Sequence, residues 1–299
     1  MMDLAYTQAV DSRLDSPEAY IEYQIHEARR ALAFLARWFD LNTARVLEVG
    51  AGRGGKGIAY AQAGVRVTSV DVDIPALRLG ADAARERGAA IDFLVADGVR
   101  LPFRADVFDA ILLDSVIEHV TDPFALLREC QRVLRRGGIV FVVFPPFYGP
   151  LSGHIDDYVL IPWFHCLPRE FVRRKLLAIN RQIGILTPPG AYEVFATLNR
   201  LTIWRFRRDA RRAGFAFAYW RVRPFLTHPG MRLVVGLLVA LRQSPRWKNL
   251  RAVIARARRE FTIGAFLLFL LLSALAPLVF IPFAQEIAAG GVKAVLKKG

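Results

Sequence analysis

The chain has 299 residues, of which 54% are hydrophobic, and its 41 Lys and Arg against 27 Asp and Glu give a formal net charge of +14. That length holds one full α/β domain with insertions, and its two cysteines, Cys130 and Cys166, exclude a disulfide framework and offer no metal-ligand spacing. A mean hydropathy of +0.29 is high for a soluble enzyme, and both this excess and the charge are local.

Residues 1–20 have neither a basic start nor an apolar run, so no secretory signal is expected and the chain is read as reduced and cytosol-facing. Ser16-Pro17-Glu18 predicts a helix start, and residues 20–40 an apolar helix. Then comes the most informative run, Val46-Leu-Glu-Val-Gly-Ala-Gly-Arg-Gly-Gly-Lys-Gly57, a buried strand that stops at a glycine-rich turn and opens a helix. Glycine is needed there because the chain turns at φ values that a Cβ penalises and because the backbone must approach a ligand closely. Two spacings coexist. Gly50, Gly52 and Gly55 satisfy the G-x-G-x-x-G of dinucleotide binders, and Glu48-x-Gly50-x-Gly52-x-Gly54 satisfies the acid-led pattern of S-adenosylmethionine binders.

Residues 65–70 alternate and are β-branched, a second strand that ends at Asp71-Val72; a carboxylate there can accept both ribose hydroxyls of an adenosine. Asp73, before Ile74-Pro75, reads as a helix start. Residues 91–96 form a third strand ending at Asp97-Gly98, an acid that suits the exocyclic amine of adenine, with Leu101-Pro102-Phe103 as apolar flank. A fourth strand runs over residues 108–114 and ends at Asp114. After it come a helix at 124–135, Gly137-Gly138 and a fifth strand at 139–144. Further on, residues 180–199 read as helical, 203–214 as a helix, 215–223 as a sixth strand and 291–298 as a last strand.

This ordered succession closely resembles the class I, Rossmann-like S-adenosylmethionine-dependent methyltransferases, in particular their broad small-molecule branch, over about residues 44–146. The resemblance implies an α/β fold: a doubly wound seven-stranded sheet with an antiparallel last strand, and S-adenosylmethionine as cofactor. By that resemblance Glu48, Gly50, Ala51, Gly52 and Gly54 wrap the methionine part, Asp71 with Val72 holds the ribose, and Asp97 with Gly98 reads the adenine, with Asp114 also on the cofactor. It further implies that residues 1–43 form a helical lid near Tyr20 and Tyr23, and that residues 44–224 form the methyltransferase domain with a substrate cap inserted at about 145–200.

The charge sits in one segment. Residues 200–260 carry 16 of the 41 basic residues and only Asp209 and Glu260 of the 27 acidic ones, leaving 25 of each sign elsewhere. Residues 262–284 follow without a charge, long enough at about 1.5 Å per residue for a hydrocarbon core of about 30 Å. Pro277 and Pro282 interrupt that run, and a last strand at 290–299 would have to return to the same sheet. Residues 225–289 are therefore read as a monotopic or re-entrant membrane-association insertion on an anionic cytoplasmic leaflet, in preference to a single transmembrane helix at 262–284.

Ligands of open α/β sheets bind beyond the carboxyl ends of the strands. Two loops lie there, Ser115 to His119 and the long, aromatic run from Pro145 to Pro168. Tyr148, His154, Asp157 and Trp163 are the candidate substrate residues, and His119 and His154 the candidate general bases, because imidazole titrates in the right range. His154 with Asp156 and Asp157 matches no strong ligand motif, so no metal is expected. The expected substrate is a hydrophobic or lipid-linked small molecule. A nucleic-acid (RNA) methyltransferase using the basic segment, without an appended RNA-binding module, and a non-catalytic cofactor-binding scaffold are the competing readings. The acceptor atom and the oligomeric state stay open.

Overall fold

The computed structural model describes residue 9 and residues 12–159, 161–224, 281 and 284–299. Among them a seven-stranded sheet runs in the order β3-β2-β1-β4-β5-β7-β6. The strands are β1 (Arg45–Val49), β2 (Arg66–Asp71), β3 (Ile91–Val95), β4 (Phe108–Asp114), β5 (Leu134–Phe144), β6 (Phe215–Pro224) and β7 (Ala289–Lys298). The first five are parallel, and β7 runs antiparallel to both β5 and β6. This is the doubly wound sheet with an antiparallel last strand expected from the sequence.

Alternation along each strand divides the core between the two faces of the sheet. Leu47, Val49, Ile111, Leu113, Val140 and Val142 face α4 (Pro123–Val133) and α7 (Ile203–Arg212), where Leu127, Cys130, Phe206 and Ala210 are buried with them. Val46, Val67, Leu112 and Phe141 face the opposite way, against α1 (Pro17–Leu35), α2 (Gly55–Gln62) and α3 (Ile74–Glu86). Glu48 shares the Val46 face and therefore lies under α2. A smaller third core, built from Phe147, Ile155, Val172, Leu176, Phe195 and Leu198, holds the cap elements α5 (Arg169–Leu177) and α6 (Pro188–Thr197) together.

Helix starts follow local chemistry. Ser16, Asp73 and Asp122 each precede a proline in the first turn and accept backbone N–H groups of that turn. The expected helix start at Asp73 is confirmed, with its Oδ1 accepting from the Ala76 N–H at 3.0 Å. The start of α7 is capped from far away in sequence: Glu286, in the short helix α8 (Gln285–Ala288), accepts from the Ile203 and Trp204 N–H groups at 3.0 and 2.9 Å.

Several boundaries differ from the sequence reading. The first helix ends at Leu35 rather than near residue 40. The helix expected to run to residue 135 stops at Val133, and β5 begins at Leu134 with Gly137, at φ +75°, inside it. The helix expected over 180–199 forms only as Pro188–Thr197, because Thr187 caps it and the Pro188-Pro189 pair disfavours helical geometry just before. Most of the expected membrane-association insertion, residues 225–280 together with 282 and 283, lies outside the described residues.

Candidate active site

The carboxyl ends of β1, β2, β3 and β4 converge around the glycine turn. Gly50, Gly52 and Gly54 all adopt left-handed φ values, +72°, +53° and +71°. That alternation is the acid-led spacing of the sequence and settles which of the two overlapping motifs the backbone uses. Gly55 has ordinary φ and is small for another reason: a Cβ there would lie 2.6 Å from both the Ile21 carbonyl oxygen and Gln24 Cβ, so α1 is packed directly on the turn. A Cβ on Gly50 would meet Val116 at 2.4 Å, and one on Gly54 would meet Phe93 at 2.8 Å, whereas one on Gly52 would meet nothing within 4 Å. The turn is thus closed on its flanks and open at Gly52.

Hydrogen bonds fix the open edge. The Gly50 and Ala51 N–H groups donate to the Val70 carbonyl oxygen at 2.8 and 3.1 Å. The Gly52 N–H donates to Asp71 Oδ2 at 2.7 Å, and Asp71 Oδ1 accepts from the Asp73 N–H. A carboxylate has further lone pairs, so Asp71 can still accept hydroxyl groups. Val72 beside it is 66% exposed, an apolar surface at the strand end. Asp97 is exposed and folds back on the Val99 N–H at 3.0 Å, next to buried Gly98. These features fit an adenosine carrying a sulfonium side chain: an open glycine cradle, a carboxylate one strand over and an exposed apolar shelf.

Glu48 lies behind the turn. Its Oε2 accepts from Ser69 Oγ at 2.7 Å beneath α2, 2.7 Å from where a Cβ on Gly57 would stand. Burial pushes its pKa up to about 7, only partly opposed by the Ser69 hydrogen bond and by Lys56. Glu48 supports the turn from behind. Lys56 closes the other side by pairing with Asp114 Oδ2 at 2.8 Å; burial works against its ammonium, yet the Asp114 charge and hydrogen bond prevail and hold its pKa above the usual value. Tyr20 from the N-terminal helix receives the Arg53 guanidinium over its ring at 5.3 Å, so the helix expected as a lid touches the turn.

On the acceptor side the structure brings His119 and His154 together, ring centroids 4.9 Å apart, although 34 residues separate them in sequence. His154 Nε2 stands 3.5 Å from Glu118 Oε1, an ion-pair separation rather than a hydrogen bond. Burial lowers the His119 pKa despite Glu118 nearby. Burial also opposes the charged form of His154, but Glu118, Asp156 and Asp157 together raise its pKa above the ordinary histidine value. The other cap candidates lie apart from this pair in their bonding. Asp157 is paired with Arg13, and Trp163 Nε1 donates to the Tyr148 carbonyl oxygen at 2.9 Å, which ties the two ends of the aromatic loop together. Sequence reasoning placed Glu118 beside His119 in the loop after β4 but gave it no role, and passed over Thr197 and Asn199. Asn199 Nδ2 donates to the Ile117 and Val120 carbonyl oxygens at 2.8 and 2.7 Å and clamps the loop that carries Glu118 and His119.

Fold and site together define a nucleoside-cofactor α/β domain of the acid-led glycine type. Residues 47–142 match a family described as a methyltransferase domain. An uncharacterized methyltransferase of Mycobacterium leprae (strain Br4923) is 37% identical over 109 residues, 36% of this chain and 40% of its own length. The demethylmenaquinone methyltransferase of Renibacterium salmoninarum is 33% identical over 118 residues, 39% and 48% of the two chains. The ubiquinone biosynthesis O-methyltransferase of Parvibaculum lavamentivorans is 35% identical over 98 residues, 33% and 39%. The chain therefore spans less than half the length of these relatives. Among solved structures, a proposed sarcosine dimethylglycine methyltransferase from Galdieria sulphuraria aligns over 92% of this chain and 86% of its own, with TM-score 0.55 and 15% identity. A [4+2]-cyclase aligns over 90% and 80%, with TM-score 0.51 and 20% identity. Residues 47–142 thus carry a methyltransferase domain, and the fold is that of the class I, Rossmann-like S-adenosylmethionine-dependent methyltransferases. That a cyclase shares the architecture shows why the reaction has to be argued from the site.

Proposed function

We propose that this chain is an S-adenosylmethionine-dependent methyltransferase that works at a membrane surface on a hydrophobic or lipid-linked small molecule. The observation that carries the methyl-transfer reading is the glycine cradle, open only at Gly52 and rimmed by Asp71, with the His119–His154 pair on the neighbouring loops. Gly50, Ala51, Gly52 and Gly54 would take the methionine part, Asp71 and Val72 the ribose, and Asp97 and Gly98 the adenine. The sulfonium is already activated, so holding a nucleophile in line with its methyl group supplies most of what the protein must add, up to about 7–11 kcal/mol in ideal cases.

The membrane setting rests on the sequence. The surplus of 14 positive charges in residues 200–260 adjoins the uncharged residues 262–284, a pattern suited to an anionic leaflet. β6 and β7 are neighbours in one sheet, so the chain between them leaves and re-enters the same domain, which opposes a single crossing. Among the described residues, no helix is long and apolar enough to cross a membrane. Two of the relatives carry demethylmenaquinone and ubiquinone in their names, and acceptors of that hydrophobic kind suit a cap with exposed Tyr148 and Ile161. Mass spectrometry of membrane lipids from cells with and without the protein tests the substrate reading: a lipid-soluble species lighter by one methyl group should accumulate without it. Label transfer that is abolished by RNase instead would replace this reading with a nucleic-acid one. Fractionation tests the setting, since release by high salt alone contradicts insertion into the hydrocarbon.

A further inference from the structure

We infer that Glu118, His119 and His154 form a binding site for one divalent transition-metal ion, on the acceptor side of the glycine turn. One ligand atom from each residue lies within 4.8 Å of the other two. Two ligand atoms about 2.1 Å from a tetrahedral ion stand about 3.4 Å apart, and His154 Nε2 and Glu118 Oε1 are 3.5 Å apart.

A buried carboxylate that makes no hydrogen bond supplies the second observation. Glu118 is 2% exposed, and neither of its carboxylate oxygens has a hydrogen-bond partner. Burying an ionised carboxylate without hydrogen bonds costs several kcal/mol, which is why buried charges are paired or coordinate metals. Its only charged neighbour in the cluster is His154, whose Nε2 is itself buried and without a hydrogen bond. The main chain here is well held, since the Glu118 carbonyl oxygen accepts from the Asn199 N–H at 2.9 Å. The loop is fixed, while the Glu118 carboxylate has the His154 ring at ion-pair distance and no hydrogen bond.

The histidines are oriented as ligands. Thr197 Oγ1 donates its one proton to the Val194 carbonyl oxygen at 2.7 Å, so it can only accept from His119 Nδ1, also 2.7 Å away. His119 therefore carries its proton on Nδ1, and Nε2 is the bare nitrogen left to ligate. Histidine ligands of metals are commonly fixed in this way through the other ring nitrogen. His154 has φ +55°, a left-handed conformation that a non-glycine residue holds only when its surroundings enforce it. Both loops emerge at the carboxyl ends of parallel strands, after β4 and β5, and Val116 of the first one packs against Gly50.

Two imidazoles and one carboxylate favour Zn²⁺, Fe²⁺ or Co²⁺ over Mg²⁺ or Ca²⁺, and three protein ligands leave positions open, as in catalytic rather than structural sites. Open positions on such an ion take oxygen donors, so the ligand class is a molecule presenting one, such as a phenolate or a pair of adjacent hydroxyls. This last point rests on the proposed methyl-transfer function; the metal site itself does not.

The test is Co²⁺ binding to chelator-stripped full-length protein, followed by visible absorption and calorimetry without any turnover. One Co²⁺ per chain is expected, displaced by Zn²⁺. Glu118→Gln and His154→Gln should weaken binding at least about 100-fold. Thr197→Val, which touches no metal and only frees His119 to change tautomer, should weaken it about 10- to 100-fold. S-adenosylmethionine binding and circular dichroism report whether each variant is folded, and Thr197→Val decides the matter if a ligand variant is not. Failure of the wild type to bind Co²⁺ or Zn²⁺ below about 1 mM overturns the site, as does binding that all folded variants retain. Loss of methyl transfer with metal binding intact would count against the proposed function and leave the site standing.

Discussion

Gly52 and Gly88 form a matched pair that separates backbone strain from cofactor space. Both have left-handed φ, +53° and +64°, and a Cβ on either would meet nothing within 4 Å. Alanine at either position should therefore cost the same left-handed penalty, about 1–2 kcal/mol. For a chain of this size each kcal/mol lowers the melting temperature by about 2–4 °C, so both variants should melt about 2–8 °C lower than the wild type. Only at Gly52 does the new methyl group enter the cradle. Forcing an extra carbon into an occupied, well-packed space costs about 1–3 kcal/mol, or about 5- to 150-fold in affinity. Calorimetric titration with S-adenosylmethionine or its demethylated product should show that loss for Gly52→Ala and none for Gly88→Ala. Equal affinity in the two variants would mean that the cofactor does not pass over Gly52, and the reading of the turn would be wrong.

Three further outcomes follow from the scaffold. Glu48 is pushed up to about 7 from an ordinary value of 4.5, so the folded state binds the extra proton. Its favourable contribution is complete below pH 4.5 and is lost as pH rises through 7. The shift amounts to about 3 kcal/mol, so the stability difference between Glu48→Gln and wild type should swing in favour of the variant by about that amount between pH 4.5 and 8; urea melts of the cofactor-free protein that show a constant difference would refute it. Gly57→Ala sits in a helix, where alanine normally gains about 1 kcal/mol over glycine. Here its Cβ would stand 2.7 Å from Glu48 Oε2 and 2.8 Å from Ser69 Oγ, both buried, so denaturation should show a net loss of about 1–3 kcal/mol. Glu286→Ala removes the acceptor for two N–H groups at the start of α7 and should lower stability by about 1 kcal/mol, with cofactor affinity unchanged.

The sheet was legible because each of its signals is local. Strand alternation, the glycine turn and the Asp-Pro and Ser-Pro helix starts are all set by near neighbours in sequence, and they placed β1 to β5 and the acid at Asp71, whereas the antiparallel direction of the last strand came from the family resemblance. The choice between the two glycine spacings did not come from the turn alone but from the ordered set of later strands and acids, because its physical basis, the φ value at Gly54 and the packing of α1 against Gly55, is not written in the motif. The burial of Glu48 was hidden for a similar reason: strand parity puts it on the face covered by α2, and the motif alone does not say which face that is. The acceptor side hides most. Glu118 and His119 are adjacent, yet their partners His154, Thr197 and Asn199 arrive from two later segments, so no spacing rule joins them. A metal was not expected for that reason. Glu286 is equally distant from the helix it caps, and only the return of β7 brings it there.

The most direct measurement of the central claim is a turnover assay with purified protein, S-adenosylmethionine labelled in its methyl group and an organic extract of membranes. Label should move into the organic phase with one demethylated cofactor formed per methyl transferred, and Gly52→Ala should slow this in step with its loss of cofactor affinity. Tight binding of S-adenosylmethionine with no demethylated cofactor released, over lipid extracts that contain unmethylated acceptors, would contradict the claim and leave a cofactor-binding scaffold in its place.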